Sequence, residues 1–136
     1  MDAKELFGEP IHSYTRAQAI EDGELVDLTA WAKETGFKVP VAITRAAWAE
    51  FIDWPQGLRP ELGQSERGRA HDVLWMMYLA GRRAKPGQIR VDFRVARVLA
   101  DDQRNGMHPT EGALYALSHP GDHHEHVLTI MLLGED

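Results

Sequence analysis

The chain contains no cysteine. That excludes disulfides, thiolate catalysis and cysteine-ligated zinc or iron–sulfur sites, and it agrees with a reducing compartment. Long apolar runs are also missing. The longest uncharged apolar stretch, Val73 to Ala80, is about half of what a membrane span needs. The opening residues, MDAKELFGEP, lack the basic and apolar regions of a secretory leader. Positive charge is in deficit: 15 Lys and Arg stand against 21 Asp and Glu, for a net charge of −6. Proteins that bind nucleic acid over their whole surface are usually basic, so that mode is disfavoured. No serine sits in a nucleophile elbow, no glycine-rich loop follows a strand, and HExxH does not occur. These absences point to a soluble, cytoplasmic protein that makes no membrane contact and is not an enzyme.

What is present describes one globular domain, residues 1–136. Hydrophobic residues make up 43% and charged residues 26%, which is enough apolar material for a packed core. The organising stretch is Ser65 to Ala84. Its eight residues from Val73 to Ala80 carry no charge, and at about 100° per residue they cover the whole circumference of a helix. The expectation is a central helix covered on most sides, capped by Ser65, with Arg82 and Arg83 in the last turn and Pro86-Gly87 beyond it.

Ahead of it, Tyr14 to Gly23 reads as a short helix, with Thr15 and Gln18 at capping-box spacing and Gly23 as the C′ residue. Glu24 to Leu28 is a strand candidate with Leu25 and Val26 buried. Thr29 caps a helix over Ala30 to Thr35. Val39 to Ile43 is apolar enough for a strand, which Pro40 makes an edge strand or an extended lead-in. Thr44 caps a third helix, Arg45 to Trp54, followed by a loop through Gln64. After Gly87 the period changes to two: Ile89, Val91, Phe93 and Val95 alternate with Arg90, Asp92, Arg94 and Ala96. Asp101 to Pro109 reads as a turn around Asn105-Gly106. Gly112 to Ser118 and Val127 to Leu133 are further strands, with a polar loop from His119 to His126. The last strand, apolar on both faces, belongs inside the sheet. The fold class is α+β: short N-terminal helices and one central buried helix packed on a C-terminal, mostly antiparallel sheet of three to four strands.

Several constellations could carry chemistry. His119-Pro-Gly-Asp-His-His-Glu-His126 offers imidazole and carboxylate ligands suited to zinc, nickel or copper. His119, His124 and His126 are the candidate metal ligands, with His12, His71 or His108 as distant partners. The competing reading is a solvated loop that needs no cofactor. His71-Asp72 has the form of a paired metal ligand, but the other helices offer nothing to complete a shell. Asp101, Asp102 and Glu111 could hold magnesium, although Asp-Asp before Asn-Gly is also ordinary turn chemistry. Arg82, Arg83, Arg90 and Arg94 form a basic stretch in an acidic chain, a candidate surface for nucleic acid or an acidic protein. Trp75 and Leu79 are expected on the least covered side of the central helix, where a partner or a second copy of the chain would sit.

A further set of residues carries a resemblance. Phe7-Gly8, Ile11, Tyr14-Thr15-Arg16, Ala19-Ile20, Asp22-Gly23, Leu25-Val26-Asp27 and Phe37…Pro40-Val41-Ala42-Ile43-Thr44 resemble an uncharacterised family of small proteins found in bacteria and on their phages and plasmids. Leu128 to Leu132, followed by Gly134-Glu135-Asp136, resembles that family's ending. The resemblance implies no activity and no catalytic residue. It implies a mobile-element setting, in which a small acidic protein binds a host protein as an inhibitor or anti-defence factor. A nucleic-acid-binding regulator using the arginines, and a metal-dependent enzyme using the histidines, are the alternatives.

Overall fold

The protein was analysed as a computed structural model, which describes residues 14–101 and 109–135. Its first described helix, α1 (Arg16–Asp22), starts where the sequence places it. Thr15 Oγ1 accepts from the Gln18 amide at 3.0 Å, and the Gln18 side chain accepts from the Thr15 amide at 2.9 Å. Gly23 closes the helix at φ 82°. Strand β1 (Leu25–Asp27) leads into α2 (Thr29–Thr35). Here the expected cap is corrected. Leu28 is the N-cap and makes no side-chain bond; the Asp27 carboxylate instead accepts from both the amide and the hydroxyl of Thr29, at 2.9 and 2.6 Å.

Strand β2 (Val41–Thr44) is followed directly by α3 (Arg45–Phe51), with Thr44 Oγ1 accepting from the Ala47 amide at 3.2 Å. The helix ends at Phe51, short of the expected Trp54. A 3₁₀ turn (Pro60–Leu62) lies in the loop that leads to the long helix α4 (Glu66–Arg82), capped by Ser65 as expected. Three strands close the chain: β3 (Arg90–Arg97), β4 (Thr110–Pro120) and β5 (His126–Leu132).

The five strands form one mixed sheet in the order β1-β2-β5-β4-β3. Among the described strands, only β2 and β5 run parallel. The fold class is α+β, with two strands beyond the expected C-terminal meander of three. Those two, β1 and β2, come from the N-terminal half. β2 lies between β1 and β5, so the expectation of an edge strand is wrong. Pro40 precedes the strand, and its carbonyl accepts from the Leu128 amide at 2.9 Å, so the missing proline N–H costs the ladder nothing. β5 is interior as expected, because its apolar side chains face both ways and both faces are buried.

Register explains the core. Val26 pairs with Ile43, Ile43 with Ile130, Ile130 with Ala116, and Ala116 with Val91, one apolar row across all five strands. Ala32 of α2, Ala47 and Phe51 of α3, and Val73, Leu74 and Met77 of α4 pack on that face as a single cluster. Burying a side chain such as Leu74 contributes about 1.5–3 kcal/mol. Helix α1 lies on the opposite face, where Arg16 reaches Thr129.

Candidate functional site

With Val73, Leu74 and Met77 turned to the core, helix geometry sends His71, Asp72, Trp75, Met76, Arg82 and Arg83 outward. The least covered side of the helix is the one expected at Trp75, and it extends to Met76. Trp75 is 44% exposed and Met76 38%, while Leu79 is half-buried. Among the described residues, one sheet and two short helices pack on one side of α4.

The flank of α4 nearest α2 carries a built surface. The Trp75 ring stacks on Tyr78 with centroids 5.7 Å apart and planes 13° apart. Tyr78 in turn meets Phe37 edge-on at 5.6 Å. Gly36 makes this approach possible: at φ 124° it turns the chain beneath Tyr78, and an added Cβ would already touch the ring at 3.4 Å. The Arg82 guanidinium lies 6.0 Å from the Tyr78 centroid, within cation–π range. Toward the N-terminus of α4, an open cleft of about 350 Å³ is lined by Trp31, Glu34, Ser65, Arg67 and His71. The Arg67–Glu34 pair, at 2.7 Å, bridges the two helices there. His71, Trp75, Tyr78 and Arg82 thus form one stripe at i, i+4, i+7 and i+11.

The remaining candidates are dispersed. Arg82 and Arg83 are exposed at the end of α4, whereas Arg90 and Arg94 lie on the sheet face away from α4. Arg90 bonds Asp92 at 2.8 Å and sits 3.9 Å from the Tyr115 ring centroid; Arg94 bonds Glu111 at 2.5 Å. The expected basic patch is therefore two separate pairs, and only Arg82 and Arg83 have no carboxylate partner among the described residues. Glu111 is committed to Arg94, and Asp102, His12 and His108 lie outside the described residues.

The histidine cluster divides as well. His119 pairs across the sheet with Val127 and Pro120 with His126, so His119 and His126 point to opposite faces. His124 stands in the connecting turn at φ 66°. Among the described residues, no three His, Asp or Glu side chains come together to hold a metal ion.

Each strand histidine has a hydroxyl partner instead. Ser118 Oγ lies 2.5 Å from His126 Nε2. His119 Nδ1 donates to the Pro120 carbonyl at 3.0 Å, so in the neutral ring Nε2 is the acceptor for the Thr129 hydroxyl at 2.7 Å. Thr129 Oγ1 also accepts from Arg16 at 2.7 Å, and Arg16 donates further to the Leu128 carbonyl at 2.8 Å. Burial lowers the Arg16 pKa. Asp122 completes the attachment of α1: its carboxylate accepts from the Arg16 and Ala17 amides at 2.8 and 3.0 Å, which holds its pKa below the usual range. The loop that reads as a metal site is thus the clamp on α1. The sequence offers no local signal for this, because the clamped amides lie more than a hundred residues away.

The chain matches a family of unknown function, DUF6573, over residues 5–136. The chain belongs to that family. The family assigns no activity. Among curated proteins and among solved structures, none matches the chain. No helix among the described residues is long and apolar enough to cross a membrane.

Proposed function

We propose that this protein is non-enzymatic and acts by binding another protein along the His71–Trp75–Tyr78–Arg82 stripe. The observation that carries the reading is the exposed Trp75 ring, held rigid by stacking on Tyr78. A preorganised aromatic side chain beside a cation is the composition of an interface anchor. Arg82 and Arg83, without ion pairs among the described residues, select an acidic segment on the partner. The resemblance to phage- and plasmid-borne proteins supports a host protein as that partner, and a role as an inhibitor or anti-defence factor of a mobile element.

A photo-crosslinking amino acid at Trp75, with the same group at exposed Lys33 as control, tests this in cells that carry the protein. The expected result is a discrete adduct from position 75 only, at least about tenfold weaker when Arg82 and Arg83 become Glu. The same adducts from both positions overturn it.

A further inference from the structure

Strand β3 is the long edge of the sheet. Among the described residues it pairs with β4 alone, over eight residues from Arg90 to Arg97. The direction of its backbone groups follows from one bond: the Ser118 amide donates to the Ile89 carbonyl at 2.7 Å. Ile89 therefore points toward β4, as do Val91, Phe93 and Val95 at the same parity. Arg90, Asp92, Arg94 and Ala96 direct their amides and carbonyls to the open side. The Arg90 carbonyl accordingly accepts from the Gln88 side chain at 2.6 Å.

An exposed edge of this length is a template for another strand, and the side chains of β3 state which one. From Val91 to Val95 the sequence is symmetric in character about Phe93: valine on both ends, aspartate on one side and arginine on the other. We propose that β3 pairs antiparallel with β3 of a second copy of this chain, with a two-fold axis at Phe93, joining the two sheets into one. In that register Asp92 faces Arg94 of the second copy, twice. Val91 faces Val95, twice. The outward amides of Asp92 and Arg94 meet carbonyls, and the Ala96 amide meets the Arg90 carbonyl in place of the Gln88 side chain.

Neighbouring registers fail on charge. Centring on Asp92 places Asp92 against itself and Arg90 against Arg94; centring on Arg94 places Arg94 against itself. Like charges directly opposite destabilise a strand pair, whereas opposite charges stabilise it. The existing pairs leave room for the new ones. Arg90 engages one Asp92 oxygen and Glu111 engages Arg94 through Nε, so the second Asp92 oxygen and the terminal Arg94 nitrogens remain to pair.

Helix α4 adds apolar surface beside the same edge. Asp72 lines a small cleft with Val95 and Ala96, so this flank of α4 faces β3. Met76 follows Asp72 by one turn on that flank and is exposed. The Trp75–Tyr78 stack lies on the opposite flank, next to Phe37, so the pairing leaves the proposed partner stripe uncovered and the two proposals stand or fall separately.

Sedimentation of the full chain tests the pairing. A small interface of this kind predicts a reversible dimer at concentrations of about 1–100 µM. Asp92→Arg alone and Arg94→Asp alone each place like charges across the axis, and each is expected to dimerise at least about tenfold more weakly. Mixed in equal amounts, the two variants regain both ion pairs, and a heterodimer at least about tenfold tighter than either homodimer is expected. A wild-type chain that stays monomeric to about 500 µM, variants that dimerise like wild type, or a mixture that gains nothing overturns the proposal. Amide exchange on the unmodified chain gives a second reading, independent of whether the variants fold. The Asp92, Arg94 and Ala96 amides are expected to slow at least about fivefold between dilute and concentrated samples; unchanged rates overturn the register.

Discussion

Asp122 and Arg69 show how single side chains hold distant parts of this fold together. Asp122 accepts from the first two amides of α1, and Glu125 in the same loop accepts from the His123 amide at 2.9 Å. Both carboxylates sit below their usual pKa because backbone N–H groups stabilise the ionised form. Their contribution is therefore fully present above the ordinary unfolded value of about 4 and is lost as pH falls through the lowered folded values. Asp122→Asn is expected to lower Tm near pH 6, with the difference narrowing as pH falls through the lowered folded value; circular dichroism across an acid series measures it. A difference that persists at low pH means the carboxylate charge is not what clamps α1. Arg69 is only 5% exposed. Its guanidinium donates to the carbonyls of Ile52 and Val98 at 3.2 and 2.7 Å and lies 4.9 Å from the Trp54 centroid. Arg69→Met removes the donors and leaves buried carbonyls unpaired, an expected loss of about 2–4 kcal/mol by urea unfolding. The Thr15–Gln18 box was readable in the sequence because its two members are three residues apart. Asp122 and Arg69 were not, because their acceptors and donors are brought to them by tertiary structure alone.

At the scale of elements, the positions of most helices and strands followed from caps, turn residues and periodicity. The failures have two physical sources. Apolar content along α4 reports what the helix would bury given enough cover; among the described residues that cover leaves not only Trp75, as expected, but also Met76 outside, while Leu79 is half-buried. Pro40 left an edge strand and an extended lead-in both open, because the sequence does not mark whether a proline stands inside a strand or, as here, just before one. The glycines of α4 and β4 give opposite expectations. An added Cβ at Gly81 meets nothing within 4 Å, so Gly81→Ala, in the last turns of a helix, is expected to stabilise by about 0.5–1 kcal/mol. At Gly112 the same atom would lie 2.6 Å from Phe51 and 2.7 Å from Arg97. Gly112→Ala is expected to destabilise by about 1–3 kcal/mol, and equal effects in thermal unfolding would refute the distinction.

For the molecule as a whole, the fold class was legible and the site only in part. The sequence pointed to Trp75 but not to Tyr78 or Phe37, whose rings fix its orientation, since nothing in spacing marks two residues on different elements as a stack. The arginines of β3 read as a patch because charge was counted without its partners; Arg90 already has a carboxylate along its own strand and Arg94 one across the sheet.

The place of β5 bears on how the protein is made. Synthesis runs from the N-terminus, so β2 leaves the ribosome long before the strand that covers its other side. Until residues 126–132 emerge, Ala42 and Ile43 pair only with the three-residue β1 and Val41 bonds only Leu28 and Thr29. The core cannot close gradually as the chain lengthens. Stalled chains ending before His126 are expected to be cut by protease within the β2 region, and chains extending through Glu135, if the nascent segment has cleared the ribosome, to resist it. The parallel pairing at the centre of the sheet thus makes completion of the core wait on β5.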